Sequence, residues 1–133
     1  MECANEKVSV HEADSLRVRD VMQARPKTLD ARATVADLRR LFENVHVRNA
    51  LLVEEGAFLG SVEREQVENE LPDGTPAGDL ARRDVLTISP EASAADARRL
   101  LDEAGAWRLV VAGAGDRLEG LLCLNTDRTG FCT

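Results

Sequence analysis

The sequence predicts an α+β fold made of two copies of one small unit, and three observations carry this. The chain has 133 residues, enough for one ordinary domain or for two small fused repeats. It is 44% hydrophobic and 31% charged, the balance of a globular protein that can bury a core without covalent staples. Shifting the chain by 59 residues lays residues 18–42 on residues 77–101 without a gap. The shift pairs Asp20 with Asp79, Thr28 with Thr87, Ala36 with Ala95, Asp37 with Asp96, Arg39 with Arg98 and Leu41 with Leu100. One extra residue in the second copy then brings Gly60 onto Gly120.

The elements follow in order. Residues 1–15 form an N-terminal segment of mixed, acidic character, unlike a secretion signal. Repeat 1, residues 16–71, has a first strand at Thr28-Leu29. Thr34-Val35-Ala36-Asp37 then reads as a capping box, a hydroxyl and a carboxylate satisfying the orphan N–H groups of a helix start. Val35, Leu38, Leu41, Phe42 and Val45 fall on one helical face behind it. Two apolar runs, Ala50 to Val53 and Phe58 to Val62, flank the turn residues Glu54-Glu55-Gly56-Ala57 and predict a hairpin. The acidic run 63–71 predicts a short helix, and Pro72-Asp73-Gly74-Thr75 is the linker.

Repeat 2, residues 76–127, recapitulates the pattern. Ser93 to Asp96 is the second capping box; Ala94, Ala97, Leu100, Leu101 and Ala104 form the apolar face; Gly105 is the helix stop. Leu109 to Ala112 and Leu118 to Leu122 are the strands, with Gly113-Ala114-Gly115-Asp116 as their turn. After Leu124 too few residues follow for a full amphipathic helix, so the final helix is truncated and 128–133 is a tail. The missing cover would leave apolar surface for residues 8–21 or a second copy of the chain to bury, which predicts a homodimer. Arg39-Arg40 and Arg98-Arg99 lie beside the apolar stripes and are expected to pair with nearby acids.

Charge narrows the function. There are 24 acidic and 17 basic residues, a formal charge of −7, which disfavours nucleic-acid polymers and anionic membranes as partners. No apolar stretch approaches a membrane span. Cys3, Cys123 and Cys132 are an odd number without metal or disulfide spacing, so a reduced, cytoplasmic protein is expected. No nucleophile elbow, zinc-protease, Walker or dinucleotide motif occurs, and no enzyme activity or metal site is expected.

The doubled pattern of a strand with Thr, a capped helix, a VV-type strand and a glycine-led strand resembles a tandem pair of CBS (cystathionine beta-synthase) domains, a Bateman module. The resemblance covers residues 16 to 127. It implies two repeats related by pseudo-two-fold symmetry, each a small sheet packed with helices, commonly dimerised. It also implies clefts that bind AMP, ATP or S-adenosylmethionine.

Within the family, a Thr near the first strand, a basic residue before the VV strand and a G-x-x-[ST]-x-x-D segment hold the ligand. The resemblance therefore points to one cleft formed by Thr28, Asn49, Trp107, Arg108, Cys123, Asn125 and Thr126, with Arg108 as the anion contact. A weaker second cleft would comprise Arg48, Glu63, Glu65, Gln66 and Thr87. Both copies depart from the last motif: Glu63 and Gln66, then Cys123 and Thr126, stand where Ser or Thr and Asp are expected. Two carboxylates in the second cleft would repel a phosphate. The expectation is a non-catalytic sensor module acting on an unknown effector protein. The alternatives are a degenerate pair serving as a dimerisation or interaction scaffold, and a thiol redox switch.

Overall fold

In the computed structural model, which describes residues 7–125 and 127–132, each repeat delivers the strand, helix, strand, strand order its pattern predicts. The first gives β2 (Thr28–Asp30), α3 (Val35–Leu41), β3 (Asn49–Glu54) and β4 (Ala57–Glu63). The second gives β5 (Thr87–Ile88), α4 (Ala94–Ala104), β6 (Arg108–Ala112) and β7 (Leu118–Leu124). Before them come β1 (Lys7–Ser9), α1 (Val10–Ala13) and α2 (Val18–Val21); after them comes β8 (Gly130–Cys132).

The helix signals work as their chemistry requires. Asp37 N–H donates to Thr34 Oγ1 (3.4 Å) and Thr34 N–H donates to Asp37 Oδ2 (3.0 Å), the reciprocal box. That backbone hydrogen bond from Thr34 holds the Asp37 carboxyl below its ordinary value. Ser93 Oγ accepts from Asp96 N–H (3.0 Å), whereas the Asp96 carboxylate turns to Arg99 (2.9 Å). Gly105 ends α4 in the left-handed region at φ 61, where a Cβ would be strained. The arginine pairs take acidic partners as expected: Arg39 with Asp73, Arg40 with Asp37, Arg98 with Asp14 and Arg99 with Asp96.

Two compact units form, and they do not coincide with the repeats in the sequence: residues 27–85 make one, and residues 1–26 with 86–133 make the other. The first unit has a three-stranded sheet, β2-β3-β4, with β2 parallel and β4 antiparallel to β3. Its core gathers Leu38, Phe42, Ala50, Leu52, Val62, Val67 and Ala77. The second unit has a five-stranded sheet in the order β1-β8-β7-β6-β5. Its core gathers Val18, Val21, Ala97, Leu101, Leu109, Leu122, Leu124 and Phe131. The segment leading into each repeat thus serves the other repeat's unit: Gln23 bridges Leu121, and Arg82 bridges Ser61.

These bridges explain the two aligned glycines. A Cβ on Gly60 would lie 2.9 Å from Arg82 O, and one on Gly120 would lie 2.6 Å from Gln23 O. Only glycine admits backbone at that distance.

Several expectations are corrected. The run 63–71 forms only a 3₁₀ turn, Arg64–Val67, because Val67 alone among its residues is buried and no apolar face exists to stabilise a helix. Helix α3 stops at Leu41, so Val45 is 70% exposed rather than part of the core face. Ala104, at the end of α4, is exposed as well. The tail 128–133 contains β8, which pairs with β7 and β1. Strand β8 and residues 8–21 supply the cover that the truncated repeat lacks: Ala13, Val18, Val21 and Phe131 are at most 1% exposed. The argument for a homodimer from uncovered surface therefore falls away. Finally, the cysteines are not uniformly reduced: Cys123 is a free thiol, but Cys132 is disulfide-bonded.

Candidate ligand-binding site

Of the first expected cleft the larger unit carries Trp107, Arg108, Cys123 and Asn125, and of the second it carries Thr87, on β5, β6, β7 and the residues flanking them. Arg108 opens β6 and stands opposite Cys123 on β7. Thr87, exposed on β5, stands opposite Val110 two residues further along β6. Arg108 is half-buried, and Cys123 is buried. Burial pushes the Cys123 thiol up to about 11, a rise that the charge of Arg108 partly opposes. Cys123 is therefore a neutral, buried wall residue at pH 7 rather than a reactive thiolate. It faces Cys132 across the strands, yet stays free while Cys132 is bridged elsewhere.

Trp107 precedes Arg108 and is 40% exposed, with the Arg128 guanidinium 4.8 Å from its ring centroid. Asn125 follows β7, and its side chain is committed to the turn. Its Oδ1 accepts from Thr129 N–H (2.9 Å) and Gly130 N–H (3.2 Å), and its Nδ2 donates to Thr129 Oγ1 (3.1 Å). Thr126 lies outside the described residues.

The smaller unit carries Thr28 and Asn49 of the first expected cleft and Arg48, Glu63, Glu65 and Gln66 of the second. Thr28 is exposed opposite Leu51, and Asn49 opens β3 opposite Glu63. Asn49 Nδ2 donates to the Oγ of Ser61, a buried polar residue (3.3 Å). Arg48 and Glu65 are exposed. Gln66 stands where the family has its ribose-binding Asp, and both ends of its amide are occupied. Oε1 accepts from Glu63 N–H (2.8 Å), and Nε2 donates to Leu80 O (2.6 Å).

Two arginines at these ends of the sheets escape sequence reasoning. Arg64 reaches back to the loop after α3, donating to Phe42 O (2.8 Å), Asn44 O (2.8 Å) and Val47 O (2.6 Å). Arg128 reaches back to the loop after α4, donating to Ala106 O (2.9 Å) and to the Asp102 carboxylate (2.8 Å). Val47 and Ala106 correspond under the 59-residue shift, but the arginines do not: they stand four and eight residues after Gly60 and Gly120. No repeat alignment could have matched them.

Among the described residues, no group of three or more His, Cys, Asp or Glu could hold a metal ion. No helix among them is long and apolar enough to cross a membrane. The Arg108 end of the larger unit's sheet carries a cation, an aromatic side chain and the exposed Thr87 hydroxyl, groups of the kind that recognise an anion bearing a planar or sugar group.

The CBS domain family matches the sequence twice, over residues 18–73 and 77–125. The chain belongs to the CBS-domain family. Among curated proteins, no sequence relative matches this CBS pair. Solved structures share its fold. A protein assigned to acetoin utilization, AcuB from Vibrio cholerae, is 24% identical over 81% of this chain and 84% of its own, with a TM-score of 0.73. CBSX2, solved in complex with AMP, is 22% identical over 82% of this chain and 90% of its own, with a TM-score of 0.71. The CBS domain of a bacterial CNNM/CorC family Mg2+ transporter, solved in complex with ATP, is 14% identical over 86% of this chain and 85% of its own, with a TM-score of 0.72.

Proposed function

We propose that this CBS pair is a non-catalytic regulatory module that binds an adenine nucleotide, AMP or ATP, at the Arg108 end of its second repeat. The observation that carries this is Arg108 itself, a half-buried guanidinium at the mouth of β6 beside the buried, neutral Cys123. A guanidinium held against a low-dielectric wall is a strong phosphate contact. The AMP and ATP complexes of two fold relatives support the ligand class.

The Glu63 end of the first repeat is the poorer anion site, because Glu63 and Glu65 add negative charge and Gln66 is already bonded at both ends. One nucleotide per chain is therefore expected. Binding would regulate an effector protein only through different affinities for two states of the module. Calorimetry with ATP, AMP and S-adenosylmethionine tests the proposal: Arg108→Ala is expected to weaken nucleotide binding at least about tenfold, roughly the worth of one charge-assisted contact. Equal affinity in both proteins would overturn it.

The second possibility is a scaffold without a small ligand. The committed amides of Gln66 and Asn125 favour it, because neither is spare to receive a ribose. That function predicts a homodimer by light scattering at micromolar concentration and no heat with any of the three ligands.

A further inference from the structure

We infer that Arg128 is the positioning residue for the Trp107-Arg108 segment, so that the turn after β7 sets how well the second repeat holds an anion. The inference rests on the nucleotide site proposed above.

Three contacts from one guanidinium converge on the residues just before Arg108. Nη1 donates to Ala106 O, Nη2 donates to the Asp102 carboxylate, and the guanidinium carbon lies over the Trp107 ring. Ala106 O lies just past the end of α4, and Arg128 is the side-chain donor that reaches it. Asp102 belongs to the last turn of α4, which ties the helix end and the following loop to the same group. Leu124 N–H donates to Trp107 O (2.9 Å), so the segment is held by β7 from one side and by Arg128 from the other.

The turn that carries Arg128 is itself braced. Arg128 N–H donates to Asn125 O (3.0 Å), and the Asn125 side chain bonds Thr129 and Gly130. Arg128 adopts φ 59, a left-handed conformation that favours Gly or Asn. A long cationic side chain at that position fits a group kept for what it touches. Because a guanidinium is a planar fork, it can serve the carbonyl, the carboxylate and the ring face together, whereas an ammonium cannot. Trp107 is thereby a platform with Arg128 over its ring, and Arg108 projects from the residue next to that platform.

The experiment compares wild type, Arg128→Ala and Arg128→Lys in the full chain by amide hydrogen exchange, melting temperature and ATP calorimetry. In Arg128→Ala, exchange over residues 106–108 is expected to rise about tenfold while that of residues 94–101 is unchanged, the signature of local release. ATP affinity is expected to fall about tenfold in a protein that is still folded at the assay temperature, and Arg128→Lys to recover part of it. Unchanged exchange over 106–108 in Arg128→Ala would overturn the inference, as would unchanged ATP affinity where wild type binds. If wild type binds neither ATP nor AMP in the calorimetry proposed above, the nucleotide proposal fails by itself. Faster exchange over 106–108 would then still support positioning by Arg128.

Discussion

In the unit of residues 27–85, a three-stranded sheet is finished by the 3₁₀ turn Arg64–Val67; in the other unit, a five-stranded sheet is finished by β8 and β1. Both units nevertheless deliver a guanidinium to the same place, Arg64 to Val47 O and Arg128 to Ala106 O. The difference teaches which part of the pattern is obligatory. A helix end leaves carbonyls that need donors, and its loop must be held for the next strand to start in register. The route by which the donor arrives is free to vary. In the first repeat a turn residue suffices, and in the second an added hairpin does the work.

The sharpest way to break this comparison is to remove the added hairpin's cover. Phe131→Ala empties a fully buried ring site and is expected to cost about 3–5 kcal/mol by denaturant titration. Val67→Ala, the corresponding truncation in the first repeat's closing turn, is expected to cost about 2 kcal/mol. Equal costs would mean that β8 is an ornament on the sheet rather than its cover. Next in size, Gly120→Ala is expected to destabilise by about 1–3 kcal/mol, and Gly60→Ala by somewhat less. The ordering follows from the nearer backbone oxygen, at 2.6 Å against 2.9 Å. A neutral result at either position would show that the exchanged segments sit further from the strands than described.

The smallest effect concerns the helix starts. The Asp37 carboxyl titrates below its ordinary 3.8 because it accepts the Thr34 N–H. A depressed carboxyl stabilises above its unfolded value, and the gain is lost as pH falls through the lower, folded value. Asp37→Asn is therefore expected to lower the melting temperature slightly at pH 7, with the gap to wild type closing as pH falls below the ordinary carboxylate value. A gap that persists in acid would place the effect elsewhere than in this box.

Much of the fold was legible because its signals are local. The capping residues Thr34 and Ser93, the stop at Gly105 and the alternation of short apolar runs each act within a few residues. The aligned glycines were legible as positions but not as reasons, since Arg82 and Gln23 approach them from distant sequence. What escaped depended on tertiary cover. The run 63–71 carries the composition of a solvated helix but lacks a face to bury, and the residues after Leu124 became a strand because β1 and β7 offered edges. At the site, Arg108 was legible through the family pattern. Arg64 and Arg128 were not, because no spacing rule ties a guanidinium to a carbonyl some twenty residues earlier.

The pairing of β1 with β8 also fixes a timetable. Residues 27–85 are contiguous and hold everything their sheet needs, so they can organise while the chain is still being made. The other unit joins Lys7 to Cys132 and so must wait until residues 130–132 have left the ribosome. During synthesis the buried residues of α1 and α2 wait for β8, and the Arg108 end of the sheet is completed only when β8 pairs with β7.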